Sequence, residues 1–216
     1  MGRVIAIDGP SGAGKSTVSK MLAEKLGFEY LDTGALYRAT ALALRKKGVV
    51  PEDSDEKIAA SLRDISIEFA NGKVFADGRD VSDEIRTKEA GHYSSVFSAR
   101  RPVRAFLLPL QRAQARTKDI VAEGRDMTTV VFPDAWKKFY LDASAQERAQ
   151  RRYGQLLANG RNPTVKDALE DVLERDKRDS SRDLAPLRRA DDAVYIDTTE
   201  IAADEVVKKM LQAVKS

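Results

Sequence analysis

Residues 9–17 read Gly-Pro-Ser-Gly-Ala-Gly-Lys-Ser-Thr, and Gly9 through Ser16 satisfy the spacing G-x-x-x-x-G-K-[ST] of a phosphate-binding loop, or P-loop. Gly9, Gly12 and Gly14 allow a sharp turn with the backbone N–H groups inward, and a helix starting there adds the positive end of its dipole. Lys15 is then placed to reach the β- and γ-phosphates of a nucleoside triphosphate, and the Ser16 hydroxyl to ligate Mg²⁺. On this reading Gly9, Pro10, Ser11, Gly12, Ala13, Gly14, Lys15, Ser16 and Thr17 bind the nucleoside triphosphate, Lys15 is catalytic and Ser16 is the metal ligand. A Gly-rich turn that binds nothing would not need both the lysine and the hydroxyl.

The second group with chemistry is a set of arginines. Arg148, Arg151 and Arg152 fall at i, i+3 and i+4 of one helical face, and Arg175, Arg178 and Arg182 share a face at i, i+3 and i+7. Arg38, Arg104 and Arg125 lie near other expected site edges. Guanidinium grips phosphate with two parallel hydrogen bonds and keeps its charge when desolvated. For any single one, a solvated face laced with Asp176, Asp179 and Asp183 is the plainer account; the set together favours a phosphorylated second substrate. His92 is the one histidine, too little for a metal site or a proton relay. Trp136 and Phe139 read as packing residues, and Asp8 as a loop hydrogen-bond acceptor ahead of a metal ligand.

These residues need a frame. Val4-Ile5-Ala6-Ile7 is an apolar run fit for a buried strand, and Thr17 to Leu26 carries Val18, Met21, Leu22 and Leu26 at helical period. Phe28–Leu31 is a second strand, ending in Asp32-Thr33-Gly34, and 35–47 a helix stopped by Gly48. A short helix is expected near 55–64. Ile65–Phe69 and Lys73–Phe75 alternate around Asn71-Gly72, a β-hairpin signal, and Gly78–Val81 adds a third strand. Helices over 87–98 and 102–117 precede strands at 119–123 and 137–141. Ser144-x-x-Glu147 fits a capping box. Asn159-Gly160 is a turn, Pro163-Thr164 opens a helix toward Ser181, and a fifth strand at 193–197 precedes a closing helix at 201–214. Strands alternating with helices predict an α/β fold, a five-stranded parallel sheet with helices on both faces, plus a small antiparallel β insertion. Ligands of such sheets gather beyond the carboxyl ends of the strands, where the P-loop, Asp32-Thr33-Gly34, Gly124-Arg125-Asp126 and Asp142 fall.

Composition narrows the classes. The 216 residues suit one domain with an insertion, and 42% hydrophobic content supplies its core. Lys and Arg number 37 against 34 acidic residues, a net charge of +3, which argues against nucleic acid or an anionic membrane as partner. There is no cysteine, hence no disulfide and no thiol redox chemistry. No apolar run approaches the roughly 20 residues of a membrane span, and the chain enters its first strand at once, so a cytoplasmic protein without signal peptide is expected.

From Asp32 to Arg38 the chain resembles the nucleoside-monophosphate segment of the bacterial cytidylate kinases, a P-loop kinase family. Similar too are residues 9–15, Glu84-Ile85-Arg86-Thr87, Glu123-Gly124-Arg125-Asp126-Met127, Val130-Val131-Phe132-Pro133, Leu141-Asp142-Ala143-Ser144 and Arg182-Asp183-Leu184-Ala185-Pro186-Leu187. The resemblance spans essentially the whole chain. It implies that Thr33, Arg104, Asp126 and Arg182 hold the cytosine with Tyr37 packed against it. It also implies that Ser95, Arg175 and Asp179 hold the ribose, and Arg38 and Arg125 the acceptor phosphate. Residues 148–162 would be the lid, with Arg148, Arg151 and Arg152 catalytic; 35–86 the monophosphate-binding part, with its hairpin at 65–86; and 1–34, 87–147 and 164–216 the core. Position 33 is Thr where Ser is also familiar, and position 128 is Thr where the family pattern has Gly. The implied activity is transfer of the γ-phosphate of ATP to CMP or dCMP by a monomer. A kinase for UMP or AMP is the alternative. An ATPase switch is another, although no guanine-reading Asn-Lys-x-Asp segment is present.

Overall fold

A computed structural model describes residues 2–158, 160 and 162–215. Among them the elements run β1 (Val4–Asp8), α1 (Lys15–Leu26), β2 (Glu29–Asp32), α2 (Thr33–Lys46), α3 (Asp55–Leu62), β3 (Ile67–Ala70), β4 (Lys73–Ala76), β5 (Arg79–Asp80), α4 (Lys88–Phe97), α5 (Arg101–Gln114), β6 (Ile120–Glu123), β7 (Lys137–Asp142), α6 (Ala145–Ala158), α7 (Val165–Ser180), β8 (Val194–Asp197) and α8 (Ala203–Lys215). A 3-10 turn covers Glu84–Arg86 and a π-helical turn Met127–Val131. The expected turn at Asn159-Gly160 and the end of the expected lid include Asn159 and Arg161, which lie outside the described residues.

The main sheet is five-stranded and parallel, in the order β2-β6-β1-β7-β8, and is flanked by helices. β1 lies in the centre with all five residues buried, as its unbroken apolar run requires. Alternate residues of a strand share a face, so Ile5 and Ile7 of β1 and Phe139 and Leu141 of β7 meet one layer, formed by Val18 and Leu22 of α1 and Val207 and Met210 of α8. Each such fully buried side chain contributes about 1.5–3 kcal/mol by leaving water. α1 stops at Gly27, whose φ of 67° lets its N–H turn back to the Glu24 carbonyl. The second sheet, β3-β4-β5, is antiparallel. Asn71 and Gly72 have φ of 52° and 73°, the double left-handed geometry of a two-residue hairpin. Asp77 and Gly78 repeat it at the next turn, and Asp77 also accepts the Ser66 N–H.

The chain divides into two compact units. Of the described residues, one unit holds those of 3–30 and 119–215, the other residue 2 and 31–118. Residues 87–118 share a unit with the insertion and α2, because α4 packs on α2 and α5 on α2 and α3. The capping box is also displaced. Ser144 accepts the Glu147 N–H, but its own N–H donates to Thr199 and the Glu147 carboxylate pairs with Arg151. The complete box is Thr164 with Asp167, at the start of α7. Trp136 lies at the rim, its ring 6.5 Å from that of Phe28, with Arg3 over both, while Phe139 is core. His92 is exposed on α4.

Candidate active site

In the larger unit, β1 delivers the chain straight into the loop. Gly9 has φ of 148°, and a Cβ there would fall 1.9 Å from the Leu141 carbonyl oxygen of β7. The next four carbonyls each take a side-chain donor. Lys15 Nζ donates to Pro10 O at 2.7 Å, Arg148 Nη1 to Ser11 O at 3.2 Å, Arg151 Nη1 to Gly12 O at 3.3 Å, and Thr198 Oγ1 to Ala13 O at 3.1 Å. A planar peptide aims the following N–H opposite to its carbonyl, so holding the carbonyls orients the loop amides. α1 then begins without a side-chain cap at Gly14, and Ser16 and Thr17 are exposed in its first turn. An uncapped helix start with oriented amides suits an anionic phosphate.

Lys15 is buried, and its ammonium is pushed down to about 7 by desolvation and then by Arg125, against the pull of Glu123, Asp8 and Asp179. A polyphosphate laid on the loop would restore its charge. The donor set also fits Mg²⁺. Ser16 offers one exposed hard oxygen, and no cluster of three or more His, Cys, Asp or Glu among the described residues could hold a metal alone. Mg²⁺ characteristically takes few protein ligands and completes its shell with phosphate oxygens and water.

The same unit gathers a second set. Asp179 of α7, 3% exposed, accepts Arg125 Nε at 2.8 Å and pairs with Arg182. Burial would raise this carboxyl, but Arg125 and Arg182 outweigh it and hold it below the usual range. Arg175 is lowered to about 10, first by burial and then by Arg125. The Nε atoms of Arg175 and Arg182 are buried with no hydrogen-bond partner among the described residues. Arg175 and Arg182 thus keep a buried donor free for an anion, and with Asp179 buried this face of α7 is not the solvated one that its aspartates suggest. Asp126 is buried just ahead of the π-helical turn.

The smaller unit carries the remaining predicted residues. Asp32 caps α2 by accepting the Ala35 N–H at 2.9 Å, and its other oxygen lies 4.0 Å from Arg38. Thr33 and Tyr37, one turn apart on α2, are buried, and the Arg104 guanidinium lies 5.7 Å from the Tyr37 ring centroid while donating to the Ser98 carbonyl. The Ser95 hydroxyl is buried with no partner among the described residues.

The protein-family model for cytidylate kinase matches residues 5–216. The chain belongs to the cytidylate kinase family. It is 56% identical to the cytidylate kinase of Thermodesulfovibrio yellowstonii over 99% of this chain and 98% of that one, and 48% identical to that of Thermosipho melanesiensis over 98% and 96%. A solved structure of an uncharacterized protein from Eubacterium ventriosum shares the fold, with a TM-score of 0.57 at 14% identity and 99% coverage of both chains.

In this cytidylate kinase family member the three arginines expected in the lid lie on α6 with their donors engaged. Arg148 is nearly buried and bonds Asp176 at 2.5 Å and the Ala143 carbonyl at 2.9 Å besides Ser11. Arg151 holds Glu147 and both the hydroxyl and the carbonyl of Thr198. Arg152 pairs with Asp171 of α7 at 2.9 Å. Sequence reasoning missed Thr198. Its one signal is position, directly after the fifth core strand, where the other strand ends had already supplied candidates. No described helix is long and apolar enough to cross a membrane.

Proposed function

We propose that this protein transfers the γ-phosphoryl group of ATP to CMP or dCMP, giving ADP and the corresponding diphosphate. The observation that carries the proposal is the union, in one compact unit, of an oriented P-loop with an arginine set in which the buried Nε atoms of Arg175 and Arg182 have no hydrogen-bond partner among the described residues. Family membership over residues 5–216 supports the choice of acceptor.

On this reading residues 9–17 bind ATP. Thr33, Arg104, Asp126 and Arg182 hold the base with Tyr37 against its face. Ser95, Arg175 and Asp179 hold the ribose, and Arg38 and Arg125 the acceptor phosphate. The CMP phosphate, with a second pKa of about 6, is a dianion at neutral pH and needs no base to attack. Its oxygen forms the new bond to the γ-phosphorus as the bond to the β–γ bridging oxygen breaks, and ADP leaves with that electron pair. The protein's work is to hold both phosphates in line and to spread positive charge over the moving group. Lys15 supplies that charge directly, and Arg148, Arg151 and Arg152 add to it. Mg²⁺, held by Ser16 and the nucleotide, neutralises phosphate charge when bound. Residues 148–162 act as the lid, excluding water. The enzyme acts as a cytoplasmic monomer on small molecules, without nucleic acid or membrane.

The test is coupled ADP release with Mg-ATP and a panel of CMP, dCMP, UMP, AMP and GMP. Rapid turnover confined to CMP and dCMP is expected. Turnover with another monophosphate instead overturns the base assignment, and slow ATP consumption independent of any monophosphate overturns the kinase reading.

A further inference from the structure

Asp8 is the last residue of β1 and directly precedes Gly9. Its side chain is fully buried. It pulls electrostatically on Lys15, but its hydrogen bonds do not go to the loop that follows it. Met127 donates its N–H to one carboxylate oxygen at 2.9 Å, and Thr128 donates its N–H at 2.7 Å and its hydroxyl at 2.6 Å to the other. All three donors open the π-helical turn that begins just after Arg125-Asp126. On the other side of that dipeptide, the Gly124 N–H donates to the Ile7 carbonyl at 3.0 Å. The two residues are therefore bracketed, before and after, by the end of β1. Arg125 is aimed from this backbone, since its Nη1 donates to the Gly124 carbonyl at 3.1 Å while its Nε reaches Asp179.

We propose that Asp8 is a positioning residue for the phosphate acceptor. It fixes the backbone that carries Arg125 and Asp126 at a set place relative to the donor loop, which starts one residue later. This rests on the reading above, in which Arg125 and Asp126 touch CMP. The chemistry needs a carboxylate. Two acceptor oxygens serve three donors here; an amide of the same shape keeps one oxygen and turns an NH₂ group toward an N–H that has nowhere to move. The Thr128 hydroxyl is the adjustable member of the three, because its removal leaves the backbone bonds in place.

The experiment compares Asp8→Asn, Thr128→Val and Thr128→Ser by KM for CMP, KM for ATP and melting temperature. Thr128→Val is expected to raise the CMP KM by about ten- to a hundredfold, as for one hydrogen bond to a charged group, with the ATP KM within about twofold of wild type. Thr128→Ser restores the CMP KM, and Asp8→Asn exceeds Thr128→Val in the same direction. The Thr128 pair decides the matter even if Asp8→Asn does not fold. Parallel changes in both KM values, or no change in Thr128→Val, would overturn the proposal. If the wild type turns over another monophosphate and not CMP, the functional reading fails, and the same comparison with that acceptor still decides the role of Asp8.

Discussion

Gly9 and Gly72 both have positive φ, 148° and 73°, yet they are glycine for different reasons. A Cβ on Gly9 would collide with a backbone oxygen of β7, while a Cβ on Gly72 would meet nothing within 4 Å. The P-loop is glycine because other chain segments press on it. The hairpin is glycine because of its backbone angle alone. The contrast extends to the polar groups. P-loop carbonyls are held by side chains from α6 and from the loop after β8, whereas the hairpin relies on its own turns and on exposed pairs such as Lys73 with Asp80. Long-range contacts hold the polar groups of the P-loop and local ones set the turns of the hairpin, whose strands β3 and β4 pack on α2.

The same substitution in both places gives the largest expected effect and the smallest. Gly9→Ala places its methyl on an atom that cannot yield, and loss of the folded, ATP-binding protein is expected in melting and nucleotide titrations; ATP affinity within about tenfold of wild type would break the comparison. Next comes Lys15→Met, expected to slow phosphoryl transfer by about 10²–10³-fold, the scale of one preorganised charge donor. Lys15 also sets a pH signature. Its folded pKa of about 7 lies below the ordinary lysine value, first through burial and then through Arg125. Across that window the unfolded chain holds a proton that the folded chain lacks, so stability without nucleotide rises from pH 7 upward. ATP restores the cation, and calorimetry near pH 8 in buffers of different ionisation enthalpy should show proton uptake on ATP binding, absent in Lys15→Met. Equal proton counts for the two proteins would break the assignment.

Arg182→Ala ranks third. It leaves Asp179 with Arg125 as its remaining bonded arginine, and kcat/KM for CMP should fall about 10²-fold with the ATP Kd changed by less than about threefold. Equal losses for both nucleotides would remove Arg182 from the base site. Gly72→Ala closes the series. It costs about 1–2 kcal/mol of backbone strain, visible as a lower melting temperature, with ATP affinity unchanged.

Local signals told most of this in advance. The apolar run of β1, the glycine spacing after it, the helical period of α1 and the Asn71-Gly72 turn are written in neighbouring residues, and each element formed where its pattern lay. What stayed hidden depends on partners far along the chain. No local pattern tells that Asp8 accepts hydrogen bonds from residues 127 and 128 rather than from its own loop, or that Thr198 closes on Ala13. The grouping of α4 and α5 with the insertion was equally illegible, since their apolar faces match any helix-covered surface until the layers are packed. Ser144 and Glu147 have the spacing of a capping box, but Thr199 and Arg151 compete for its two members and win half of it. The arginines of α6 were legible as a charged face; their attachment to P-loop carbonyls was not.

Thr198 also sets the order in which the molecule can become competent. The loop of residues 9–16 leaves the ribosome first, but the hydroxyl that holds the Ala13 carbonyl follows it by 185 residues. Until β8 has been made and laid beside β7, the P-loop is missing one of its four carbonyl clamps and the anchor of Arg151, which provides another. A chain ending before β8 would keep the Lys15 and Arg148 clamps and lose the other two, so half of the hold on the first loop is supplied by the residue that follows the last strand.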